Sequence, residues 1–156
     1  MKINKKWIRN DRGITLIEVL AVIVILSIIA SMAVLVIGDA IQKARRQAFV
    51  SNAYIMRNAS TVYYKNKEFN HEPVKDIVTY RELVESGFLD VIIDPDTGVK
   101  WEMDHSNAFV VFNEGKVASI CLVGTKRKLC GDKQGDRFLP MPVEQITEEN
   151  VKEVDS

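Results

Sequence analysis

Histidine, cysteine and proline are scarce in this chain, and the residue patterns that mark common enzymes are missing. The 156 residues include two histidines, two cysteines and four prolines. There is no Gly-x-Ser-x-Gly nucleophile turn, no His-Glu-x-x-His zinc motif and no glycine-rich loop before a Lys-Ser or Lys-Thr pair. His71 and His105 are isolated in polar segments, away from any Cys-x-x-Cys spacing. We therefore predict that the protein is not an enzyme and needs no cofactor or metal ion.

The chain also lacks net charge, but its charges are unevenly distributed. It has 21 basic and 21 acidic side chains. Residues 1–13 carry five of the basic ones and a single acid, Asp11, so the remainder holds 16 basic and 20 acidic side chains. A mildly acidic protein is a poor general binder of polyanions, and we predict no specific nucleic-acid partner. The positive-inside bias predicts that the basic start stays in the cytoplasm and that the C-terminal part is outside.

A long apolar run follows the basic start. Residues 14–37 would span roughly 36 Å as a helix, more than the ~30 Å hydrocarbon core of a bilayer, which predicts a transmembrane helix. The run contains one carboxylate, Glu18, whose burial at the bilayer centre would cost roughly 2.5–3.5 kcal/mol. Glu18 should therefore lie near the interface or meet a cation. If the chain were cut after Gly13, the new ammonium group of Ile14 would be such a cation, in the same molecule or in a neighbour.

The run Gly-Ile-Thr-Leu-Ile-Glu-Val-Leu at residues 13–20 resembles the class III signal of type IV prepilins and of the pseudopilins of type II secretion and competence systems. In that family a membrane peptidase cuts after the glycine and N-methylates the next residue. The resemblance implies that Gly13 is the cleavage residue, Ile14 the methylated N-terminus, and Glu18 the carboxylate that recognises the terminal amine of an adjacent subunit. The implied partners are prepilin peptidase, other pilin or pseudopilin subunits, an assembly-platform protein and the membrane. The implied location is the cytoplasmic membrane, then a filament at the cell surface or across the envelope.

Other interpretations of this start remain open. An ordinary secretory signal could be cut near Ala30-Ser31-Met32-Ala33, although the apolar run continues to Ile37 and Glu18 is at the wrong end. An uncleaved signal anchor is a second possibility. The functional alternative to a filament subunit is a single-pass, membrane-anchored extracytoplasmic binding module that does not polymerise.

An amphipathic pattern follows Gly38, and no proline occurs before Pro73. Together they predict one helix from about residue 14 to about residue 64. The predicted domains are a leader (1–13), a transmembrane helix (14–37), its amphipathic continuation (38–64), a head (65–139) and an acidic flexible tail (140–156). We predict an α+β fold with the helix packed on a small antiparallel sheet, as in pilins. The helix stripe predicted to face the head comprises Ile41, Ala44, Ala48, Ile55, Ala59 and Val62.

Local signals divide the head further. Thr79 to Glu82 fits a capping box that starts a short helix, and Gly87 is placed to end it. Asp94-Pro95-Asp96-Thr97-Gly98 predicts a turn, because proline fixes φ, aspartate accepts from backbone donors and glycine allows positive φ. Three strand-like runs follow, the last two joined as a hairpin through residues 113–115. The runs are Val99–Met103, Ala108–Phe112 and Lys116–Leu122.

Cys121 and Cys130 are the only cysteines, and both are predicted to be outside the cytoplasm, where thiols can oxidise. A disulfide between them would close a loop of about ten residues and stabilise the fold by roughly 3 kcal/mol. We favour that bond over free thiols or metal ligation, and the resemblance agrees, since some pilins staple a C-terminal loop in this way.

Two sets of charged residues have more than one interpretation. The acidic loops could gather on a calcium ion, but EF-hand spacing is absent and turn chemistry explains the aspartates without an ion. The basic clusters could contact DNA or phospholipid headgroups, but we favour solvated surfaces. The acidic set is Asp94, Asp96, Asp132 and Asp136, and the basic clusters are Lys43, Arg45 and Arg46 with Lys126, Arg127 and Lys128.

Overall fold

The computed structural model describes residues 11–102, 107–135 and 137–154. It confirms the α+β class, with a long N-terminal helix followed by a small antiparallel sheet. The chain divides into two compact units, Met1–Gln42 and Lys43–Ser156. The leader residues before Asp11, the strand end predicted at Met103, and the candidate ligands His105 and Asp136 lie outside the described residues.

Helix α1 runs from Asp11 to Phe69, several residues beyond the predicted end at each side. In the first unit the described side chains from 15 to 34 are all exposed, so the apolar surface is bare. The serines within it satisfy their hydroxyl groups locally. Ser27 donates to the Ile23 carbonyl and Ser31 to the Ile28 carbonyl, each at 2.7 Å. These bonds suit a helix in hydrocarbon, where no water is available to polar groups.

In the second unit α1 buries a different face from the one predicted. Phe49, Ala53, Met56 and Ser60 are each fully buried and recur every three or four residues. Of the predicted stripe, only Ala59 is buried, while the other members are exposed. The apolar spacing fitted two adjacent stripes of the helix, and the stripe with Phe49 and Met56 packs against the head because those large side chains fill more of its core.

Over its described residues, the head consists of two antiparallel sheets and three short helical elements. A six-stranded antiparallel sheet has the order β1-β2-β3-β4-β8, with β7 beside β3, and β5 pairs with β6 separately. Helix α2 is Tyr80–Glu85, and single 3-10 turns cover Val143–Gln145 and Glu148–Asn150. The strands are β1 Ile77–Thr79, β2 Ala108–Asn113, β3 Lys116–Val123, β4 Arg127–Leu129, β5 Lys133–Gln134, β6 Arg137–Phe138, β7 Met141–Pro142 and β8 Lys152–Glu153.

Two local predictions in the head are confirmed. The Thr79 hydroxyl accepts from the Glu82 amide at 3.3 Å, and the Glu82 carboxylate accepts from the Thr79 amide at 3.0 Å, which completes the capping box of α2. Strands β2 and β3 form the expected hairpin. Glu114 and Gly115 have φ values of 50° and 77°, as the two central residues of a type I′ turn require.

Strand β3 places its side chains into two apolar clusters on opposite faces of the sheet. Ile120 and Leu122 join the main core between the sheet and α1, where Tyr64 stacks on Phe112 with ring centroids 4.7 Å apart. Cys121 and Val123 alternate with them and join a smaller cluster. The smaller cluster is completed by Cys130, with Phe109, Phe138 and Val154 partly buried against it.

The predicted strand at 99–103 is wrong over its described residues. They contain only an isolated bridge between Ile93 and Lys100. The Asp94 amide donates to the Val99 carbonyl, and the Trp101 amide donates to the Ile92 carbonyl, both at 2.9 Å. The segment therefore closes back on its own turn and does not pair with the sheet.

The segment after Pro140, expected to be a flexible acidic tail, packs on the sheet in the structure. Strand β7 pairs with β3, and β8 pairs with β4. Met141 and Ile146 are buried, and Val151 packs against the same core. These apolar residues are spaced through the acidic sequence, and their burial accounts for the difference.

Candidate functional site

The N-terminal part of α1 holds the residues on which the predicted processing and assembly depend. Gly13 and Ile14 lie in α1, and Glu18 follows one turn later with an exposed side chain. Glu18 has no ion-pair partner among the described residues. The helix is long and apolar enough to cross a membrane, and its most apolar window has a mean hydropathy of 3.1 with none of it buried. The site is thus a carboxylate on a bare apolar helix.

A second bare surface lies on α1 in the second unit. Ala48, Ile55, Val62 and Phe69 are spaced seven residues apart and are all exposed. We call these four residues the heptad stripe. Ile55 is 50% exposed, Val62 57% and Phe69 83%. A repeat of seven brings each residue back to within about 20° of the same side of the helix, so these four form one exposed apolar stripe.

In the head, the predicted Asp-Pro-Asp-Thr-Gly turn is held by its first aspartate. Asp94 is 1% exposed. Its carboxylate accepts from the Thr125 amide and hydroxyl, each at 2.8 Å, and from the Asp96 amide at 2.7 Å. Longer contacts of 3.4 Å come from the Thr97 amide and the Trp101 indole. Burial alone would raise the pKa of Asp94, but these hydrogen bonds outweigh it and lower the pKa below its usual value.

The second aspartate joins the turn to both the sheet and the helix. Arg127 on β4 places its Nε 2.9 and 3.1 Å from the two carboxylate oxygens of Asp96. Arg45 on α1 approaches the same carboxylate at 3.7 Å. The side chains of Asp96 and Arg127 are almost completely buried. Removing either one would leave the other charge buried without a partner and would strongly destabilise the fold.

These contacts bear on the calcium alternative. The carboxylates of Asp94 and Asp96 are engaged by Thr125 and Arg127, and Asp132 lies 3.8 Å from Lys152. A cavity of about 210 Å³ beside Asp94 has one further carboxylate in its lining, Glu102. Over the described ranges, no group of three His, Cys, Asp or Glu side chains could hold a metal ion. The turn is therefore organised by protein donors.

Sequence reasoning missed the partners of this turn. Arg127 and Lys128 were expected on a solvated surface, and both are buried. Gly124 was not singled out, yet a Cβ there would lie 2.8 Å from Phe49 and 3.1 Å from the Asp94 carboxylate. The sequence does contain a signal for Arg127. It is a basic residue in an alternating, strand-like pattern shortly after an apolar strand. The close approach at Gly124 has no signal in the sequence.

We expect Asp94→Asn to lower the free energy of unfolding by about 3 kcal/mol, since an amide nitrogen would face donors that now meet a charged acceptor. The measurement is thermal or chemical unfolding of the full chain in detergent, followed by fluorescence. Trp101 touches Asp94 and reports directly on the site. Asp90→Asn, on an exposed aspartate, is the matched control and should change stability by less than about 0.5 kcal/mol. Equal stability of the two variants would contradict the proposed role of Asp94.

The same site gives a pH dependence. The pKa of Asp94 is lowered in the folded state, so its contribution is fully present above the unfolded pKa of about 3.9 and is lost as pH falls through the folded value. Native protein should therefore lose more stability on acidification below about pH 4 than Asp94→Asn does.

The predicted disulfide between Cys121 and Cys130 is present. Cys121 lies on β3 and Cys130 directly follows β4, so the bond links the two strands beside their last paired residues, Leu122 and Leu129. Both residues are fully buried.

Alkylation of the denatured chain without reduction should add no label, and alkylation after denaturation and reduction should add two. Replacing both cysteines by serine should cost about 3 kcal/mol, the chain-entropy value for a ten-residue loop. The readouts are intact mass and unfolding. Two labels on the denatured, unreduced chain would show that the thiols are free.

Comparison with known proteins identifies the first part of the chain. Residues 8–34 match the family model described as the prokaryotic N-terminal methylation motif. This motif is the class III signal of type IV pilins and pseudopilins, and the match supports a precursor of that type, processed by prepilin peptidase. The apolar helix behind the signal fits single-pass anchoring in a membrane. No curated protein and no solved structure matches the chain.

Proposed function

We propose that the mature protein is a subunit of a type IV pilus-like filament or of a type II secretion or competence pseudopilus. Prepilin peptidase cuts after Gly13 and methylates Ile14, and subunits assemble through their N-terminal helices. The head is extracytoplasmic, and an assembly-platform membrane protein receives the subunit. The observation that carries the proposal is the bare apolar segment of α1 with one carboxylate, Glu18, behind a methylation signal.

A bilayer alone accounts for only part of this segment. Lipid tails cover the exposed apolar side chains but provide no partner for the carboxylate. The ammonium group of Ile14 from a neighbouring subunit provides one. In the low dielectric of a helix bundle this pair is strong, because both charges are removed from water.

The heptad stripe supports packing between subunits over simple anchoring. It lies in the second unit, after the apolar run has ended, where lipid tails do not cover it. An anchored module that does not polymerise would leave Ile55, Val62 and Phe69 facing water. In a filament of parallel subunits, the helix of a second copy covers the stripe.

The buried charges of the head agree with a structural, non-catalytic role. Asp94 accepts a hydrogen bond from Thr125, and Asp96 accepts one from Arg127. Both contacts stabilise the turn. We propose that the protein is the substrate of a processing enzyme and has no catalytic activity of its own.

Ile55→Lys should reduce filament yield at least tenfold, because a lysine in the stripe is desolvated when a second copy packs there. The assay coexpresses the chain with a prepilin peptidase and an assembly system and quantifies sheared or pelleted filaments. Ile77→Lys is the control, since Ile77 is also 50% exposed but lies on β1. Neither change should lower head stability by more than about 0.5 kcal/mol, because both positions are exposed. Normal filaments from Ile55→Lys would exclude the stripe from assembly.

A further inference from the structure

The three residues of the basic cluster Lys43, Arg45 and Arg46 have different surroundings in the structure. Arg45 is directed to the Asp96 carboxylate at 3.7 Å and helps to hold the turn of the head. Lys43 and Arg46 are exposed, and neither has an ion-pair partner within the described ranges. They are three residues apart on α1 and therefore share one side of the helix. Two cations of the three thus remain available to an external anion.

Their position along the chain indicates which anion. Lys43 and Arg46 follow the last residue of the apolar run, Ile37, by six and nine residues. The headgroup region adds roughly 5–7 Å to each side of the hydrocarbon core, which corresponds to about four or five helical residues. Side chains on a helix point back toward its N-terminus, and the long stems of lysine and arginine let their charges reach an interface. Both cations are therefore placed to meet phosphate groups at the membrane surface.

One acidic residue beside this pair reduces its net positive charge. Asp39 is exposed and precedes Lys43 by four residues, so it lies on the same side of the helix. The three residues together carry one net positive charge, and the mature chain as a whole is acidic. The attraction is thus local to this turn of the helix and is not a property of the whole protein.

We propose that Lys43 and Arg46 bind the phosphate groups of anionic lipids at the membrane surface. The pair holds the start of the second unit against headgroups while the subunit waits in the bilayer. This role depends on membrane anchoring and not on polymerisation, so it can hold or fail separately from the filament proposal. It also assigns different roles to neighbouring residues, because Arg45 stabilises the head while Lys43 and Arg46 contact lipid.

The test is native mass spectrometry of the full chain, released from nanodiscs that contain equal amounts of phosphatidylglycerol and phosphatidylcholine. The native chain should retain phosphatidylglycerol preferentially. Lys43→Gln/Arg46→Gln should lower that preference by about fivefold for each charge removed. Lys65→Gln/Lys126→Gln, which removes two exposed lysines elsewhere, should leave the preference unchanged. Asp39→Asn should increase it.

Two further arms identify the ligand. Free inorganic phosphate at millimolar concentration should not displace the lipid, since binding requires the phosphate to be held at the membrane surface. Short duplex DNA should not compete either. The proposal is overturned if both double variants lose the preference equally, if the native chain retains the two lipids alike, or if phosphate or DNA displaces the bound lipid.

Discussion

Gly13→Leu should abolish processing and leave the full-length precursor in the membrane. Gly13 lies in α1 at the start of the apolar run, within the segment that matches the methylation motif. The scissile bond must enter an enclosed peptidase site at the membrane face, and a branched side chain beside it blocks that entry. Intact-mass measurement should show the mature chain for the native protein, without residues 1–13 and with one added methyl group. The variant should show only the unmethylated precursor.

The control for this variant is Gly38→Leu. Gly38 is another glycine of α1, and a Cβ there would meet no atom within 4 Å, so the substitution fits the structure. It should be cut and methylated as the native chain is. Normal mature protein from Gly13→Leu would mean that the chain is cut elsewhere or not at this signal. Precursor accumulation in both variants would point to a general defect in membrane insertion.

The N-terminal apolar segment could be predicted from the sequence because a membrane-spanning helix is indicated by length and composition alone. Twenty-four mostly apolar residues have few alternatives to a spanning helix, and Glu18 stands out within them. The local elements of the head were also predictable, because the Thr79 cap and the turn at Glu114 and Gly115 depend on near neighbours in the chain. The type of each element and the residues at which it begins and ends follow from the local chemistry of the backbone.

What could not be predicted depends on contacts between distant segments. The choice between two apolar stripes on α1 is made by the volume of the head core, which Phe49 and Met56 fill. The burial of Arg127 depends on Asp96, 31 residues earlier in the chain. The acidic tail packs on the head through Met141 and Ile146. These two apolar residues are not apparent when the segment is judged by its mostly acidic composition. Such long-range pairings are not contained in a local pattern.

The turn that contains Asp94 and Asp96 also links the helix to the sheet within the second unit. The turn is joined to Arg127 on β4 by a buried, charge-assisted contact, and to Arg45 on α1 by a longer ion pair in which Arg45 is partly exposed. Within the second unit, the helix and the sheet are therefore joined by ionic contacts as well as by apolar packing.

Glu18→Ala should sharply lower filament yield while leaving membrane insertion and cleavage unchanged. Removing the carboxylate relieves a desolvation cost, so the variant should enter the membrane at least as well as the native chain. The loss appears only when subunits pack. The ammonium group of Ile14 from a neighbour is then buried without its partner, at a cost of about 3–5 kcal/mol per contact. Such a cost corresponds to a decrease of more than a hundredfold in the association constant of each contact.

The measurement compares membrane level, mature mass and filament yield in the same cells. Ser27→Ala is the matched control, because Ser27 is another polar residue of the apolar run whose hydroxyl bonds to the Ile23 carbonyl within its own helix. It should assemble normally. In cells that express both native and Glu18→Ala subunits, the variant should be depleted from filaments relative to the membrane pool. If Glu18→Ala assembles as well as Ser27→Ala, the carboxylate does not act between subunits, and a membrane-anchored module that does not polymerise becomes the better description of the protein.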